Sequence, residues 1–234
     1  MINRFTQTVL QSEHVNDREH LTPAAKRFQR TLKKVHRKLP GPMPNRYNVT
    51  VSHSHKFIWY RVAKVGTRTT LTSLRESEAT LALEHASNLI IPEWVAPGYK
   101  QIAFVRHPID RFVSAWQNRV LRSNPYDFDP ETRKQMRDIS NFIDWFEEQD
   151  PATCDRHLRL QSTLIPDERH LDLLGRMETF EDDLNKMFAM LGLTRENQHH
   201  RNRSKKEKPE LADADRDRLA KIYKPDLDRY GFTP

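Results

Sequence analysis

The sequence predicts an α/β fold with a mostly parallel central sheet flanked by helices, and three observations carry that prediction. Phe57–Ala63 and Gln101–Val105 are short runs apolar on both faces, as strands buried between helices must be. Each runs through a polar turn into a segment with helical spacing. The pattern then alternates strand and helix toward the C-terminus, which favours parallel pairing.

Taken in order, Thr22-Pro23 supplies an N-cap and first helical position, and Phe28, Leu32, Val35 and Leu39 follow at helical spacing. Pro40-Gly41-Pro42-Met43-Pro44 ends that helix. A polar stretch precedes the strand Phe57–Ala63, and a helix over Thr69–Ser77 follows it. The next strand is either Thr80–Leu83 or Leu89–Ile91. Beyond Gln101–Val105, Pro108 opens a helix with Ile109, Phe112, Val113, Trp116 and Val120 on one face. Residues 124–137 read as a polar loop, Ile139–Phe146 as a short helix stopped by Pro151, and 171–177 as a strand. Thr179-Phe180-Glu181-Asp182 resembles a capping box for a helix presenting Leu184, Met187, Phe188 and Leu191, closed by Gly192. The stretch 199–209 is basic and unpatterned, and Asp213–Tyr223 forms the last helix.

The 234 residues carry 39 Lys+Arg against 32 Asp+Glu, but the excess is local. Residues 1–50 hold ten cations and three acids, and the remainder holds 29 of each. The expected organisation is therefore a basic helical arm and linker over 1–50, with weak contact to an anionic surface, and one domain over 51–234. A neutral domain argues against nucleic acid as a partner. The single Cys154 excludes an internal disulfide. With no apolar signal core and no run of transmembrane length, the chain is expected in the cytoplasm. The histidine pairs His53/His55 and His199/His200 lack carboxylate or cysteine partners at ligand spacing, so no metal is predicted.

The chemistry concentrates at the turns. In Lys64-Val-Gly-Thr-Arg-Thr69 a helix opens after a glycine, where free N–H groups and the helix dipole favour an anion. In the second half Arg106 ends a strand and Ser114 lies eight residues on. The first loop resembles the one that holds the 5′-phosphosulfate in sulfotransferases that use 3′-phosphoadenosine 5′-phosphosulfate (PAPS). Arg106-x-Pro-x-x-Arg-x-x-Ser114 is similar to that family's 3′-phosphate clamp. The likeness is greatest to the carbohydrate sulfotransferases, including the heparan-sulfate O-sulfotransferases, and continues through His157-Leu-Arg-Leu-Gln161, Leu174-Gly-Arg-Met-Glu178 and Lys221–Tyr230.

The resemblance implies a P-loop-NTPase-like sulfotransferase fold, PAPS as donor with 3′-phosphoadenosine 5′-phosphate (PAP) as product, no metal, and a carbohydrate or other hydroxyl-bearing acceptor. It casts Gly66, Thr67, Arg68, Thr69 and Thr70 as the 5′-phosphate cradle, with Lys64 at the bridging oxygen. Arg106 and Ser114 take the 3′-phosphate, and Arg203, Ser204 and Lys205 close over it. The base falls at Glu84-His85, with His85 favoured for its unperturbed pKa of about 6.5. His157 and Gln161 line the acceptor channel or brace a loop. Two rivals stand: an ATP-using P-loop kinase, although Gly66 has no Gly-Lys downstream, and a non-catalytic binder of anionic glycans.

Overall fold

The computed structural model describes residues 4–13, 20–195 and 210–233. Along the chain the elements are α1 (Arg4–Val9), α2 (Pro23–His36), β1 (Tyr47–Ser52), β2 (Phe57–Tyr60), α3 (Thr67–Glu76), β3 (Leu83–Leu89), β4 (Lys100–Val105) and α4 (Pro108–Trp116). There follow α5 (Pro130–Gln135), α6 (Ile139–Glu147), β5 (Leu173–Arg176), α7 (Phe180–Leu191), α8 (Asp213–Ile222) and α9 (Lys224–Tyr230). They divide into two units, one of Met1–Val62, Gly66–Phe104 and Leu164–His199, the other of Ala63–Val65, Val105–Thr163 and His200–Pro234.

The first unit is built on the sheet, in the order β3-β1-β2-β4-β5. Phe57, Ile58, Trp59, Ile102, Ala103 and Phe104 have no exposed surface, so β2 and β4 are buried on both faces as their composition requires. They pair in parallel, from Phe57 opposite Lys100 to Tyr60 opposite Ala103. β1 pairs antiparallel with both β2 and β3. The α/β class holds, but the sheet is mixed where the sequence suggests a mostly parallel one. The reason is local: only residues 53–56 separate β1 from β2, a link that permits a hairpin and is too short for a crossover.

β1 occupies a stretch that looks polar. Val49 and Val51 fill the core, while the Thr50 and Ser52 hydroxyls donate to Glu84 O and Thr80 O at 2.8 Å each. Burying a hydroxyl is tolerable when it is hydrogen-bonded. β3 runs between the two expected strand positions and takes in an end of each. α2 is capped by Thr22, whose Oγ1 accepts from Ala25 N–H, with Pro23 in the first turn. Its Gln29 amide pairs with both backbone groups of Ile90, donating at 3.0 Å and accepting at 2.9 Å.

The second unit closes around an aromatic core. Phe112 and Trp116 of α4 meet Phe142 and Phe146 of α6, and Tyr223 stacks on Phe146 with ring centroids 5.8 Å apart. Its Tyr223 hydroxyl donates to Leu158 O at 2.6 Å, giving a buried phenol its partner. One helix here falls outside the sequence expectations: α5 lies in the supposed loop 124–137 and is capped by Asp129, whose carboxylate accepts from Glu131 and Thr132 N–H. α9 begins at Lys224, one residue after α8, within the Lys221–Tyr230 stretch whose resemblance implies a closing helix. In the first unit, the capping box at Thr179 also differs. Asp183 reaches back instead, accepting from Arg176 N–H at 2.9 Å and from Thr179 Oγ1 at 2.7 Å.

Candidate active site

After β2 the chain turns through Ala63–Gly66 and enters α3, two residues earlier than expected. Lys64 and Gly66 both take positive φ, 73° and 77°. A left-handed lysine is uncommon, and such conformations concentrate where a ligand is clamped. Gly66 is fixed twice over: besides its φ, a Cβ there would lie 2.4 Å from Phe180 Cε2. It caps α3 without a side-chain hydrogen bond, and first-turn N–H groups have no intrahelical partner. The loop therefore presents backbone donors at the positive end of a helix.

The hydroxyls divide differently. Thr67 Oγ1 donates to Val62 O at 2.9 Å, which ties the helix start to the strand end. Thr70 is fully buried and turns its hydroxyl toward Gly66 O at 3.4 Å. Thr69 is half-buried and Arg68 exposed.

Also in the first unit, Glu84 and His85 sit side by side on β3. Glu84 is buried and its Oε1 meets both Arg75 Nη2 and, at 3.1 Å, His85 Nε2. On the other side of the imidazole, Nδ1 lies 3.0 Å from Arg61 Nη1. A guanidinium only donates and a carboxylate only accepts, so these neighbours select the tautomer protonated at Nε2. Arg61, itself buried, also donates to Ala86 O at 3.1 Å.

The second unit holds Lys64, Arg106, Ser114, His157 and Gln161. Arg106 follows β4, and its guanidinium donates to Lys64 O at 3.4 Å. Gln161 is wholly buried and brackets the Arg106 backbone, accepting from its N–H at 3.0 Å and donating to its carbonyl at 2.9 Å. Asp226 of α9, also without exposure, accepts from Gln161 N–H at 2.6 Å and Ser162 N–H at 3.0 Å. Gln161 is thus a brace whose own position is set by a buried carboxylate.

Arg111 performs a related task. Its fully buried guanidinium donates to Ala63 O at 3.1 Å and to Arg159 O and Arg156 O at 2.8 Å each. One planar cation thereby ties the residue before Lys64 to the segment that carries His157. Burial lowers its pKa, an effect opposed by Tyr223 and Asp226.

His157 Nδ1 lies 2.9 Å from Asp155 Oδ1 and 3.1 Å from Arg119 Nη2. Burial lowers the histidine's pKa against the pull of Asp155, so it is neutral near pH 7. Burial alone would raise Asp155, but the His157 hydrogen bond and charge, with Arg119, bring it down to about 2. Ser114 is half-buried on α4. Arg203, Ser204 and Lys205 lie outside the described residues. Among the described residues no cluster of three or more His, Cys, Asp or Glu could hold a metal, and no helix is long and apolar enough to cross a membrane.

Three residues escape the sequence reading: Arg61, Arg111 and Asp226. Arg111 stands inside the Arg-x-Pro-x-x-Arg-x-x-Ser spacing, and Asp226 inside the Lys221–Tyr230 stretch, so both had a visible signal. Arg61 had none, being one arginine just past a strand.

An α/β sheet whose strand ends run into an anion-type helix start and a braced arginine belongs to the class of folds that seat anionic ligands at strand ends. More narrowly, the chain belongs to the sulfotransferase family, whose model matches residues 47–233, from the first residue of β1 to past the end of α9. It is a transferase of sulfuryl groups with a P-loop-like fold. No curated protein and no solved structure gives a significant match.

Proposed function

We propose that the protein moves a sulfuryl group from PAPS to a hydroxyl of a carbohydrate acceptor. The observation that carries this reading is the turn before α3, with left-handed Lys64 and Gly66 ahead of an uncapped helix start. The N–H groups of Gly66, Thr67 and Arg68, with the Thr69 hydroxyl, hold the 5′-phosphate. Arg106 and Ser114 hold the 3′-phosphate, which distinguishes this donor from ATP.

In the reaction an acceptor oxygen forms a bond to sulfur as the bond from sulfur to the bridging phosphate oxygen breaks. The electron pair of that bond leaves on the 5′-phosphate, where the Lys64 ammonium stabilises the growing charge. The hydroxyl proton passes to His85. With Nε2–H directed at Glu84, the accepting atom is Nδ1, so Arg61 must release it as the acceptor enters. Glu84 then orients the ring and stabilises its charged form.

The test is calorimetric titration with PAP beside ADP and ATP, with and without magnesium. PAP is expected to bind at least about tenfold more tightly than ADP, since a charge-assisted contact to Arg106 is worth about 1.5–3 kcal/mol. Equal affinities, or binding of ATP only with magnesium, would overturn this reading in favour of a kinase.

A further inference from the structure

From His20 to Arg75 the sequence contains no acid. Within that span α2 packs Ala25, Gln29 and Leu32 into the first unit, so its other side is fixed outward. There Arg30, Lys33, Lys34, Arg37 and Lys38 line a surface hollow by themselves. At 100° per residue these five fall within an arc of about 140°, turned away from the buried stripe. Lys26 and Arg27 extend the row by a turn, to a length of roughly 18 Å at 1.5 Å per residue.

This is not an ordinary solvated face, which mixes signs. Arg30 and Lys34, Lys33 and Arg37, and Lys34 and Lys38 are like charges four residues apart, each pair mildly destabilising. Cations in the last turn favour the helix dipole, but Lys26 and Arg27 oppose it at the first, where no acid answers them. None of the five lining residues forms an ion pair among the described residues. The row also lies outside residues 47–233, so it is a feature of this chain beyond the part that the family model covers.

We propose that the outward face of α2 binds an acidic polysaccharide, the acceptor or its sulfated product. This rests on the carbohydrate reading above. Each transfer replaces a neutral hydroxyl by an anionic sulfate, so a polymer with many hydroxyls gains charge with every turnover. A linear ladder of cations holds such a chain between turnovers, and more firmly as sulfation advances. A membrane fits less well. The apolar stripe of α2 is already buried, and exposed Val35 and Leu39 lie well round the helix from the cations. Single-stranded nucleic acid also fits less well, because no aromatic side chain stands among the cations to stack on a base.

The experiment compares the full chain with a variant in which Arg30, Lys33, Lys34, Arg37 and Lys38 are all serine. Fluorescence anisotropy with labelled dextran sulfate (~5 kDa, a polyanion of the required kind) is run across a salt series. Neutral dextran, duplex DNA and vesicles of phosphatidylcholine with phosphatidylserine serve as competitors. The expected result is binding to dextran sulfate that weakens about tenfold or more in the variant, with a shallower salt dependence by several ions. Unchanged binding in the variant overturns the proposal. So does preference of the full chain for DNA or vesicles over dextran sulfate at equal charge. PAP affinity, measured on the same samples, is expected to be the same for both proteins. A missing PAP preference in the full chain would count against the donor reading alone.

Discussion

At the scale of single residues Gly66 is under the tightest constraint. Its φ of 77° is available to alanine only at a cost of roughly 1–2 kcal/mol. The added methyl would also meet the ring of Phe180, which packs against Phe104 with centroids 5.8 Å apart and has little room to withdraw. Gly66→Ala should therefore destabilise the protein by about 2–4 kcal/mol. It should also weaken PAP more than the lost stability explains, because the displaced turn no longer aims its N–H groups. Thermal unfolding and PAP titration of the same sample check both parts. A variant that unfolds early yet binds PAP normally once folded would remove the turn from the donor site. The glycine was legible in the sequence because its function follows from backbone conformation. The partner that enforces it, 114 residues on, was not.

Elements bring in what spacing alone does not convey. The β4–α4 turn displays Arg106, but the turn is held by Gln161, and Gln161 by Asp226 on α9. Gln161→Leu removes the amide that accepts from the Arg106 N–H and donates to its carbonyl, at about 1–3 kcal/mol. Asp226→Asn leaves the Gln161 and Ser162 N–H groups with a weaker acceptor. Both variants should lose PAP selectivity over ADP while binding of the shared adenosine portion persists. If stability falls and selectivity does not, the brace is structural only. The pairing of Arg106 with Ser114 was readable because it lies within one strand-turn-helix. The brace joins residues 55 and 65 positions apart, and no local pattern marks such a link. β1 was missed for a related reason. Asn48, Thr50 and Ser52 look like loop residues until the carbonyls of Glu84 and Thr80 are seen to accept from the Thr50 and Ser52 hydroxyls.

For the whole molecule the question is what the basic first fifty residues contribute. Charge suggests an arm that could be removed; packing suggests otherwise. Leu10 and Ala25 have no exposed surface, Leu32 has little, and the Gln29 amide completes the backbone of Ile90. Thr6 Oγ1 donates to Val95 O at 2.7 Å, and Ser12 N–H to Ala82 O at 3.1 Å. Burying the two leucines is worth about 2 kcal/mol each, and the hydrogen bonds about 1 kcal/mol each. Removing residues 1–45 should then cost the first unit on the order of 8 kcal/mol, before the edges it leaves bare are counted. At roughly 2–4 °C per kcal/mol for a chain of this size, Tm should fall by about 15–30 °C. The five-serine variant of α2 keeps every one of these contacts; relief of repulsion offsets the lost dipole interaction and the lower helix propensity of serine, so its Tm should stay within a few degrees of the full chain. Those two results together would show that the same helix supports the sheet with one face and offers its charge with the other. A truncated chain as stable as the full one would mean that the contacts of α1 and α2 add little, and the basic segment could then be treated as a tether for its anionic partner.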